Sequence, residues 1–192
     1  MRRVATLARV SEPTPTDAAI LERIRSTPSI AKLLTDFDFD IDRVANGPVE
    51  PIHLASGEPL EMVAGDASGG AFMLVGTGDE RPVLYAGSEG EGGLIATSLR
   101  NALALIASIS GFHDATARPW GDDGGAALRA WLAEAGDEMR EDWPDLDVDR
   151  ERLRDALDLP PADGLLEALH RVAADETYRP ISDAGDRYDS MV

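Results

Sequence analysis

The chain has 192 residues, no cysteine, a formal net charge of −18 and a pI near 4.4. That length suits one domain with a substantial core, and the missing cysteines exclude a disulfide framework, a thiolate metal site and a cysteine nucleophile. The charge repels nucleic acid and anionic membranes and attracts basic proteins, although a strongly acidic surface also serves plain solubility.

In chain order, residues 1–15 are polar and proline-bearing and read as a frayed arm or short edge strand. Arg9 interrupts the apolar residues of this arm, so no signal peptide is expected. Thr16 or Asp17 caps a helix through Ile20, Leu21 and Ile24, and Thr27-Pro28 restarts a second through Ile30, Leu33 and Leu34. In Thr35–Asp42 the aspartates 36, 38, 40 and 42 alternate with Phe37, Phe39 and Ile41, which predicts an extended segment with an acidic face. A calcium loop does not fit there: counted from Asp36, Ile41 stands where glycine is required and Gly47 where glutamate is required.

Short strands are expected over Val49–Ala55, Leu60–Ala64, Ala71–Val75 and Arg81–Ala86, with glycine turns between the later ones. The runs Ala71–Val75 and Val83–Tyr85 are nearly all apolar, which predicts central strands covered on both faces. Gly87–Gly93 reads as a loop holding Glu89 and Glu91, and Leu94–Ala96 as a short extended piece. A helix from Leu99 to Ser110 follows, capped by Thr97 or Ser98 and closed by Gly111. Further helices are expected over Ala126–Arg140, Asp149–Leu159 and Ala162–Asp175, and a loose polar tail from Thr177. The longest apolar run, Ala102–Ala107, is far below the roughly 18 residues of a membrane span. A cytoplasmic address is expected.

Few residues suggest chemistry. GDASGG is similar to a serine-nucleophile turn, but Ala67 breaks the spacing and Ser68 has no partner histidine at a suggestive site. The Gly87–Gly93 loop lies between a strand and a helix, as phosphate loops do, yet it lacks the Lys-Ser/Thr ending and sets Glu89 and Glu91 where a phosphate would bind. His53, His113 and His170 show no metal-ligand spacing. Trp120, Trp131 and Trp143 are too widely spaced for one stripe; most read as core, and one or two as contact anchors.

The turn residues Gly65, Asp66, Gly69 and Gly70 resemble a motif of the SMI1/KNR4 (SUKH) superfamily, as do Pro82, Val83 and Tyr85 in the next strand. Glu89, Ile95, Ala96, Ser98 and Leu99 resemble the start of that family's helix, and the likeness spans about residues 16–115. It implies a mixed α/β domain without catalysis and, for many members, an immunity role: binding and neutralising a toxin, often a nuclease. Other members are regulatory scaffolds.

The expected architecture is therefore α+β, a small mixed or antiparallel sheet flanked by helices over 1–115, with a helical extension over 116–176 and a tail over 177–192. No enzyme activity, cofactor or metal is expected. The expected activity is protein–protein interaction, in which an acidic face built from Asp36, Asp38, Asp40, Asp66, Glu89 and Glu91 docks on a basic partner such as a toxin. The alternative is a small-ligand sensor or regulatory scaffold, with a pocket between the sheet and the C-terminal helices.

Overall fold

In the computed structural model, residues 15–110 and 112–192 are described. The arm expected over residues 1–15 falls, apart from Pro15, outside them, and so does Gly111.

Two helices open the described chain. α1 (Asp17–Ser26) is capped by Thr16, whose hydroxyl accepts from the Ala19 N–H at 3.2 Å. It buries Ile20, Leu21 and Ile24. α2 (Pro28–Asp36) has its proline in the first turn, where a missing N–H costs nothing. The Asp17 N–H donates to Asp79 O at 2.8 Å and the Arg81 N–H to Asp17 Oδ2 at 2.9 Å, which ties the start of α1 to a strand turn.

The alternating aspartates do not form a strand. α2 runs on to Asp36, and Asp38 takes a left-handed conformation at φ 60°, which turns the chain. Asp40 alone pairs extended, in an antiparallel bridge to Gly65, and Ile41–Asn46 continues as a 3-10 helix. The apparent period of two is thus a helix end, a reversal and a single bridge.

Strands β2 (Leu60–Gly65), β3 (Ala71–Val75), β4 (Val83–Ala86) and β5 (Gly92–Ala96) form a four-stranded antiparallel meander in that order; the short β1 (Ile52–His53) lies outside it. The central pair β3 and β4 is wholly buried, as their apolar runs predict. Alternation of side chains splits the sheet into two faces. Phe72, Leu74, Val83 and Tyr85 point into the main core with α1, α2 and α3 (Leu99–Ser108). Met73, Leu84, Ala86 and Leu94 point the other way, against Leu54 and Tyr188.

α4 (Phe112–Thr116), α5 (Ala126–Asp142), α6 (Leu146–Leu157) and α7 (Leu165–Ala173) follow. α6 packs on α2 and α3, and α7 on β5. Leu128, Leu153, Leu157, Leu166 and Leu169 belong to the same core as Leu99 and Leu103, so the C-terminal helices complete that core.

The tail from Thr177 is not loose. β6 (Ile181–Ser182) pairs antiparallel with β1, and Asp189 exchanges backbone hydrogen bonds with Gly90 and Gly92 at 2.7 and 3.0 Å. Tyr188 is buried over the second sheet face and donates to Glu50 at 2.9 Å; burial and that carboxylate push its phenol up to about 12. No helix among the described residues is long and apolar enough to cross a membrane.

Candidate functional site: a buried aspartate between two acidic clefts

Between β2 and β3 the chain folds tightly around the carboxylate of Asp66. Its Oδ1 accepts from the Ser68 N–H at 2.9 Å, the Ser68 hydroxyl at 2.7 Å and the Gly70 N–H at 2.9 Å. Aspartate favours such turns because its short side chain replaces a backbone acceptor. Oδ2 accepts from the Tyr85 hydroxyl at 2.6 Å and lies 3.3 Å from His113 Nε2 on α4. Glycine is required at 70 because a Cβ there would collide with the Tyr85 hydroxyl and Asp66 Oδ2. One carboxylate thereby joins the β2–β3 turn, β4 and α4.

The electrostatics follow from this crowd of donors. Burial pushes Asp66 up, but hydrogen bonds from His113, Tyr85, Ser68 and Gly70 outweigh it and hold the carboxyl well below its ordinary range. Burial and the adjacent carboxylate both push Tyr85 up. For His113 burial acts downward; Asp66, then Asp38 and Glu91, more than reverse it, and its pKa is raised.

Ser68, Asp66 and His113 thus come together, which their spacing in the sequence did not suggest. The order of contacts differs from that of a serine nucleophile. Activation requires the imidazole between hydroxyl and carboxylate, taking the hydroxyl proton. Here the carboxylate stands in the middle and itself accepts the hydrogen bond of the Ser68 hydroxyl, so this arrangement organises a turn and an imidazole.

His113 lines two clefts. The first, of about 270 Å³, is walled by Phe37, Phe72, Ile106, Ile109, Met139 and Trp143 and carries Asp36, Asp38 and Asp114. The Phe37 and Trp143 rings lie 4.8 Å apart at 37°, and the Trp143 indole N–H is held by Asp149 at 2.9 Å. The second, of about 370 Å³, is lined by Tyr85, Glu91, His113 and Thr116 and by the C-terminal residues Ser190–Val192.

The residues expected to form one acidic face are distributed differently. Asp36 and Asp38 share the aromatic cleft, with Asp36 also paired to Lys32 at 2.9 Å. Glu91 lies in the second cleft, and Glu89 is exposed on the loop before β5. Asp40 faces a different groove with Arg25, Lys32 and Asp42, and pairs with Arg43 at 3.3 Å. Asp66 is a correction: it is 1% exposed, its oxygens are taken up internally, and it cannot meet a partner. Sequence reasoning weighed His113 only as a metal ligand and set it aside, and it missed Asp114 entirely. Trp143 was legible only as one of three tryptophans that could anchor a contact.

Compared with family models, curated proteins and solved structures, the chain matches none.

Proposed function

We propose that this chain is a non-catalytic interaction protein that neutralises a basic protein partner, in the manner of an immunity protein of the SMI1/KNR4 type acting on a toxin such as a nuclease. The observation that supports the reading most is the acidic lining on both sides of His113: Asp36, Asp38 and Asp114 in one cleft and Glu91 in the other, on a chain of net charge −18. The resemblance of residues 16–115 adds to it. The action is steric and electrostatic: carboxylates steer a basic surface to the clefts, and the docked chain covers the partner's own working groove.

The experiment is capture of basic protein on the immobilised chain at low and high salt. Retention at low salt that falls steeply as salt rises supports the reading, because exposed charges are screened beyond about 8–10 Å at physiological ionic strength. Retention of no basic protein at either salt counts against it.

A small-ligand sensor is the second reading, and the aromatic cleft is what favours it. Its volume of about 270 Å³ falls just below the roughly 300–1,000 Å³ of ordinary ligand pockets. A thermal-shift screen separates the readings, since a specific small ligand raises the melting temperature by mass action.

A further inference from the structure

We infer that the aromatic cleft beside His113 is an anchoring subsite for a single arginine side chain of the basic partner. The inference rests on the proposed binding of a basic protein and says where and how that protein is gripped.

Size is the first ground. A cavity of about 270 Å³ below the common ligand range holds one long side chain more readily than a folded element or a cofactor. The second ground is the wall. Phe37 and Trp143 offer aromatic surface, with the buried Phe72 beneath and Ile106, Ile109 and Met139 completing an apolar sleeve. The methylene stem of a long cationic side chain packs along such a sleeve while its head stays near polar groups. The Trp143 ring is fixed at its indole N–H by Asp149 and leans on Phe37, so it is already ordered before a guest arrives.

Charge is the third ground. Asp36, Asp38 and Asp114 all line the cleft, and among the described residues no lysine or arginine does. Lys32 offsets Asp36, and the positive form of His113 is matched by Asp66 beneath it. No hydrogen bond or ion pair among the described residues engages the Asp38 or Asp114 side chain. A cation entering the cleft therefore meets two carboxylates that no hydrogen bond or ion pair holds, over aromatic faces, although Asp38 also acts through space on His113. A planar, weakly hydrated guanidinium stacks on such faces and bridges carboxylates, whereas a lysine ammonium keeps its water more tightly.

The test uses the full chain and a capped Gly-Arg-Gly peptide, with citrulline and lysine versions as controls, read by chemical-shift changes of the tryptophan indole N–H groups. Citrulline keeps the shape of arginine and loses its charge. The expected result is a saturable millimolar shift of the Trp143 signal with the arginine peptide, a weaker one with lysine and none with citrulline. The Trp143 signal is assigned by its loss in W143F. In the double variant Asp38→Asn, Asp114→Asn the arginine affinity falls by about tenfold or more. Both positions are exposed, and asparagine tolerates the left-handed backbone at 38, so the variant folds. Equal shifts with citrulline, or an arginine response indifferent to the double variant, overturn the inference. A parallel titration with polylysine keeps the two levels apart. If polylysine binds in a salt-sensitive way while the arginine peptide leaves Trp143 unmoved, the subsite is wrong and the acidic-face reading stands. If neither binds, both fall.

Discussion

Asp66 gathers hydrogen bonds from two side-chain hydroxyls and two backbone N–H groups, with an imidazole beside them, and almost none of it reaches solvent. A buried carboxylate is tolerated only when its lone pairs are filled, and removing one donor exposes the desolvation cost. Tyr85→Phe removes the hydroxyl, with its 2.6 Å contact to Asp66 and its interaction with Ser68, and keeps the ring. It is expected to lower stability by about 1–3 kcal/mol in urea unfolding, with an unchanged m-value; an unchanged midpoint would show that Asp66 does not depend on it. The His113–Asp66 contact adds a pH signature. His113 has a raised folded pKa, so its contribution is complete below the unfolded value near 6.5 and is lost as pH rises through the folded value. Asp66 has a lowered folded pKa, so its contribution holds above the unfolded value near 3.8 and is lost as pH falls through the folded value. Wild type is therefore expected to exceed His113→Gln in stability most between about pH 4 and 6.5, with the gap narrowing in more alkaline buffer. Parallel stability–pH curves for the two proteins would contradict it.

The β2–β3 turn shows how closely an element can be fitted to one side chain. Gly70→Ala drives a methyl group into the Tyr85 hydroxyl and Asp66. The expected cost is about 1–3 kcal/mol, as for other overpacked sites, measured as a fall in the thermal midpoint; a neutral result would mean that the turn yields easily. The same stretch shows what is legible in a sequence. β3 and α3 could be read from local pattern because continuous apolar runs and helical spacing report burial directly. The GDASGG turn was legible as a turn. What Asp66 does there was not, because its partners Tyr85 and His113 arrive from a later strand and helix. The aspartates after α2 misled for a different reason: a helix end followed by left-handed Asp38 leaves an alternating string that no strand uses. The tail misled because its apolar residues are few. Ile181, Tyr188 and Met191 are scattered among polar ones, and only the pairing of Ile181 with β1, the packing of Tyr188 on the second sheet face and the burial of Met191 in the main core reveal their purpose.

Across the whole molecule, the C-terminal helices and tail close both faces of the meander; the aromatic cleft lies where α2, α3, α4 and the end of α5 converge, and the second cleft lies between Tyr85 on β4, Glu91, α4 and Ser190–Val192. The acidic residues there project from elements anchored in the core, which under the proposed docking limits the entropy loss to their side chains. Summed over a net charge of −18, they also set a field that hastens encounter with a basic surface, an effect that falls with ionic strength. The most direct measurement compares the salt dependence of basic-partner binding for wild type and for a variant carrying Asp36→Asn, Asp38→Asn, Glu91→Gln and Asp114→Asn. Steep salt dependence for wild type, with affinity at least about tenfold lower and a flatter slope for the variant, is the predicted result. Equal affinity and slope for the two proteins, or no basic protein bound by wild type, would contradict a mechanism of docking through these clefts.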